Sequence, residues 1–185
     1  MCLGKWIKKW RKRRRDRIYE GPSVEIDGGT RIRRDTDAPK VIESRELTRF
    51  SCRFSALSLM EEDTQLLRGV YDFSASRGED GVSCTVGCNN PAVLDGERKE
   101  TRSEAFLAEV ETLLRKYNVA QYNGSYYKVS GLPDFYGAWV DAEYASGETL
   151  YCYNNQDPFL PIPFVRALCK AFGIGREAEI GADNE

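Results

Sequence analysis

The hydrophobic positions follow two different spacings. In LTRFSCRFSALSL, Phe50, Cys52 and Phe54 recur every second residue, the period of a strand with one buried face. GVYDFSAS sets Tyr71, Phe73 and Ala75 on one side and Val70 and Asp72 on the other, and GVSCTVGC aligns Val82, Cys84 and Val86. SRGEDG supplies the turn between these two strands. TRSEAFLAEVETLLRKYN changes to helical spacing, with Phe106, Val110, Leu113, Leu114 and Tyr117 in one stripe. Thr101 and Glu104 stand at capping-box spacing, Arg115 and Lys116 suit the negative end of the helix dipole, and Asn118 suits a left-handed stop. A second helix is expected from Pro161–Pro163, burying Val165, Leu168 and Phe172 and ending at Gly173.

AWVDAEYASGETLYCY predicts a hairpin whose register is arguable. A two-residue loop would put Asp141 and Glu143 on the face of Leu150 and Cys152. A three-residue loop, Ala145-Ser146-Gly147, pairs Ala142 with Leu150 and Val140 with Cys152, and gathers Val140, Ala142, Tyr144, Leu150 and Cys152 on one face. A slip of one residue reverses every side chain, so burial selects the second register, with Gly147 at the left-handed bulge. VEIDGGTRI would close a smaller hairpin on Asp-Gly-Gly. These elements predict an α+β domain: an antiparallel sheet of about five strands with two helices packed on one face. The expected layout is a basic amphipathic arm (1–18), a mostly irregular linker (19–45), the α+β domain (46–173) and an acidic tail (174–185).

Charge changes this picture at the N-terminus. The 185 residues have a formal net charge of −2, but nine basic and two acidic side chains give the first twenty residues +7, leaving −9 on the rest. Such asymmetry suggests an interaction tail. Placed on a helix, Leu3, Trp6, Ile7 and Trp10 form one apolar face, with Lys5, Lys8, Lys9, Arg11, Lys12, Arg13, Arg14, Arg15 and Arg17 around and beyond it. Tryptophan favours the headgroup region, lysine stems snorkel, and each basic group near an anionic leaflet is worth about 1 kcal/mol. The arm therefore resembles an interfacial helix. The alternative is a clamp on nucleic-acid phosphates, which needs the charge but not the apolar stripe. No apolar run reaches the roughly 20 residues of a spanning helix, and charges interrupt any signal-peptide core. The expected location is cytoplasmic, peripheral at the inner membrane face.

Histidine is absent. Ser-His-Asp and Cys-His catalysis and His-containing zinc sites are therefore excluded. Six cysteines (Cys2, Cys52, Cys84, Cys88, Cys152 and Cys169) are expected to be reduced. Cys84 and Cys88 would lie about 13 Å apart on an extended strand, too far to share a metal without a bulge at Gly87. Asp141 and Glu143 share a strand face near Asp134, the arrangement of an acid–base pair, although solvated acids are commoner there. Tyr136, Trp139 and Tyr151 are candidates for a protein-binding patch. DGGTR and GIGRE lack the strand–loop–helix setting of a phosphate loop; no cofactor is expected and no small-molecule substrate is identified.

One stretch, YNVAQYNGSYYKVSGLPDFYGAWVDAEYASGETLYCYNNQDPFLPIPF, resembles a module of small cytoplasmic proteins and lipoproteins of clostridia-like bacteria. The shared phrases are Lys116-Tyr117-Asn118-Val119 at a helix end, Asn123-Gly124, a turn from Tyr144 to Gly147, and Asn155 with Pro158 before the last helix. The likeness spans roughly residues 47–172 and implies an α+β fold and no reaction. This chain lacks an apolar leader before Cys2, so Cys2 does not match the lipidated cysteine of the lipoprotein members. The function expected is a non-enzymatic interaction domain held at an anionic lipid surface by its arm.

Overall fold

The computed structural model describes residues 23–26 and 29–174. The arm, the residues joining it to residue 23, and the acidic tail from 175 onward lie outside them. The strands are β1 (Ser23–Ile26), β2 (Thr30–Arg34), β3 (Leu47–Ser55), β4 (Val70–Gly78), β5 (Gly81–Cys88), β6 (Glu97–Arg102), β7 (Ser125–Val129), β8 (Ala138–Tyr144) and β9 (Thr149–Asn154). The helices are α1 (Glu61–Thr64), α2 (Ala105–Lys116) and α3 (Ile162–Ala171), with a 3₁₀ turn at Val119–Tyr122. All nine strands form one sheet in the order β1-β2-β7-β9-β8-β3-β4-β5-β6. This corrects the expected antiparallel sheet of about five strands with two helices. The sheet is larger and mixed, because β9 inserts between β7 and β8 and runs parallel to β7.

The alternating strands behave as their spacing requires. Phe50, Cys52 and Phe54 of β3, Tyr71, Phe73 and Ala75 of β4, and Val82, Cys84 and Val86 of β5 are all buried on the face that carries the helices. β8 and β9 pair as Ala142 with Leu150 and Val140 with Cys152, and Gly147 takes a φ of 88°. The three-residue loop thus sends Val140, Ala142, Tyr144, Leu150 and Cys152 into the core. β1 and β2 also pair antiparallel, with Ile26 opposite Thr30. This pair joins the main sheet through β2 and β7 rather than standing apart.

The helix before Asn118 starts later than its spacing suggested. Thr101 belongs to β6, Glu104 makes no side-chain cap, and α2 begins at Ala105, so the expected capping box does not form. Glu104 instead pairs with Arg77 at 2.9 Å. Asn118 does stop α2 in the left-handed region, at φ 50°. α2 and α3 cross the same sheet face and meet through aromatic edges. Phe172 lies 5.2 Å from Phe73 and 5.0 Å from Phe106, and Tyr117 lies 6.0 Å from Phe164.

β6 has no apolar alternation at all; its inward positions are Arg98, Glu100 and Arg102. Their work is at the end of α3. Arg98 donates to the Phe172 carbonyl, and Arg102 donates to that of Ala171 while its guanidinium lies 4.4 Å from the Phe106 ring. Cations there satisfy carbonyls that the helix leaves without partners and oppose its dipole.

β7 and β9 share only two paired positions, Tyr126–Tyr153 and Tyr127–Asn154. A buried asparagine extends the seam at each end. Asn123 accepts from the Tyr151 N–H and donates to the Thr149 and Pro39 carbonyls. Asn155 accepts from the Val129 N–H and donates to its carbonyl. Each amide makes the hydrogen bonds that a peptide group would make in a longer ladder.

Candidate functional site

With both long helices on one face, no described helix covers the other face of the sheet. Strand register lines up Arg33, Tyr126, Tyr153, Trp139, Arg53 and Asp72 across it, from β2 to β4. The Tyr126 and Tyr153 rings stack at 4.9 Å, and the Arg33 guanidinium sits 5.9 Å from the Tyr126 centroid. Burial pushes the Tyr153 phenol above its ordinary range, and the Asp134 carboxylate adds to the shift. Arg53 and Asp72 form an ion pair at 2.7 Å.

Trp139 and Tyr151, two members of the expected protein-binding patch, are half-buried on this face. Tyr136, the third member, lies in the loop between β7 and β8, 39% exposed, with its ring 4.6 Å from that of Phe135. The phosphate- or membrane-binding candidates Leu3 to Arg17 are outside the described residues.

The carboxylates are engaged structurally. Arg49 reaches Asp141 at 3.0 Å and Glu143 at 2.9 Å. Burial disfavours the charge on Arg49, but the Glu143 hydrogen bond and the two carboxylates outweigh it and raise its pKa. Asp134 lies apart, 3.6 Å from Lys128 and 3.3 Å from the Asn155 amide. No acid–base pair with divided environments results.

The five described cysteines are free and buried. β5 runs in regular register with β4 through Gly87, so no bulge draws Cys84 and Cys88 together. Burial raises every one of these thiols: Cys84 to about 11, Cys152 and Cys169 to about 12, and Cys52 and Cys88 upward as well. They act as small core groups, since nucleophilic and metal-binding cysteines need the thiolate. Among the described residues no group of three potential ligands could hold a metal ion, and no helix is long and apolar enough to cross a membrane.

One feature escaped the sequence reading. A cleft of about 340 Å³ opens beside β2 and β7, lined among others by Ile32, Arg34, Tyr122, Ser125, Tyr127 and Phe159. Ile32 faces Tyr127 and Arg34 faces Ser125 across the β2–β7 ladder, while Tyr122 and Phe159 meet edge to face at 5.1 Å. The cleft forms because α2 and α3 leave this wing of the sheet uncovered. Its residues come from four separate segments, so no local spacing announces it.

No family model, curated protein or solved structure matches this chain. What it does is carried by its own chemistry.

Proposed function

We propose that the protein is a non-enzymatic interaction domain held reversibly at an anionic membrane surface by its basic N-terminal arm. The observation that carries this reading is the helical spacing of Leu3, Trp6, Ile7 and Trp10 inside a segment with nine basic residues. A phosphate clamp needs the charge; only an interface with an apolar side needs the stripe. The sheet edge next to the arm supports it. The chain from the arm leads to Ser23 of β1, which pairs with Arg33, and β2 also carries Arg31. Positive charge therefore continues from the arm onto the first wing of the sheet, while the rest of the body is acidic. On this reading the face that no described helix covers, which carries Trp139 and Tyr151, takes part in contact with another protein.

The test is co-sedimentation with phosphatidylserine-containing and pure phosphatidylcholine vesicles, using the full chain and a chain lacking residues 1–18. The expected result is binding to anionic vesicles by the full chain and at least a roughly hundredfold loss without the arm, from about 1 kcal/mol for each of several charges. Indifference to anionic vesicles, together with a salt-dependent shift of DNA, would overturn the membrane reading in favour of nucleic acid.

A further inference from the structure

We infer that the cleft beside β2 and β7 binds a nucleoside monophosphate: one planar ring carrying one phosphate. The cleft's volume, about 340 Å³, lies within the range of small-ligand pockets, which are mostly apolar with a few convergent polar groups. The walls have that composition. Ile32 and Tyr127 face each other across two strands, and the Tyr122–Phe159 pair stands at 5.1 Å. Aromatic walls of this kind accept a base by stacking, which every nucleobase offers.

The charge is complementary to a phosphate. Arg34 lines the cleft, is exposed, and makes no ion pair among the described residues. Its planar guanidinium fits two phosphate oxygens at once. The Ser125 hydroxyl, on the neighbouring strand directly opposite Arg34, adds a donor beside it. Asn154 also lines the cleft. Its side-chain carbonyl already accepts from the Gln156 and Asp157 N–H groups, so its NH₂ is the group left to donate to a base edge. Among the described residues no carboxylate lines the cleft to repel an anion.

The experiment is calorimetric titration of the full chain with adenosine monophosphate, with adenosine, inorganic phosphate and short-chain phosphatidic acid titrated separately. Expected is saturable binding of one equivalent, with adenosine and phosphate each at least about tenfold weaker, since ring and phosphate each contribute. Arg34→Ala and Tyr127→Ala are each expected to weaken binding by about tenfold or more. A chain with Lys8, Lys9, Arg13 and Arg14 changed to Ala is expected to bind as the wild type does, which separates this site from the arm. Arg34 is a surface residue, so an unchanged melting temperature in Arg34→Ala shows that lost binding is not lost fold. Absence of saturable binding, binding that survives both cleft substitutions, loss of binding in the arm variant, or phosphatidic acid binding in place of the nucleotide would each overturn the assignment.

Discussion

The side-chain amide of Asn123 donates to two carbonyls, on Pro39 and Thr149, and accepts from the Tyr151 N–H, all while buried. A carboxylate has no donor, so Asn123→Asp would set oxygen against oxygen twice. The expected loss is about 2–4 kcal/mol of stability at pH 7, read from urea unfolding. Glu148 is tied differently. Its two oxygens accept from the Glu43 and Ser44 N–H groups and fasten that segment to the β8–β9 loop. The Glu43 bond, then those from Ser146 and Ser44, lower its pKa. A carboxyl whose folded pKa is depressed contributes above its unfolded value and loses that contribution as the pH falls. Wild type should therefore exceed Glu148→Gln in stability at pH 7. That difference should shrink as the pH drops below about 4, and unfolding curves across this range check it.

At the scale of elements, Gly137 shows how tightly β8 enters the sheet. A Cβ there would stand 1.8 Å from the Asn154 carbonyl oxygen, and the Gly137 carbonyl accepts from the Ser55 N–H. Gly137→Ala must push two strands apart and is expected to cost more than about 2 kcal/mol, measured by thermal unfolding. The strands visible in the sequence are β1 and β2 through their turn signal, and β3, β4, β5, β8 and β9 through apolar alternation, because one face of each of these five meets the helices. β6 was not visible, since its inward side chains are Arg98, Glu100 and Arg102, chosen for the end of α3 rather than for the core. β7 was missed for another reason. Its burial pattern shows no buried position, and its partner β9 is reached only by a crossover that no local spacing encodes. The same non-local assembly hid the cleft, whereas Trp139 and Tyr151 were legible because their strand alternates cleanly. The capping-box reading failed because Thr101 was claimed by the ladder of β6 with β5.

As a whole molecule, the protein joins a +7 segment to a body of opposite sign. If the arm holds it to anionic vesicles, raising salt from 0.1 to 1 M shortens the screening length from about 10 to about 3 Å. Sedimentation should then release most of the bound protein while leaving a remainder held by Trp6, Ile7 and Trp10, whose burial salt does not weaken. The sheet itself has a division of labour. β3, β4 and β5 follow one another in sequence and sit beneath the helices, whereas β2 must find β7 across about 100 residues of chain, Thr30 meeting Val129. The β1–β2–β7 wing then holds to the remainder by two paired positions, the Tyr126–Tyr153 stack, two asparagine amides and the bond from the Gly124 N–H to the Tyr151 carbonyl. In kinetic language, the helix-covered strands are expected to form the nucleus, with the wing closing last and opening first. Amide protons of β2 and β7 should exchange through a sub-global opening, well before those of β3 and β4.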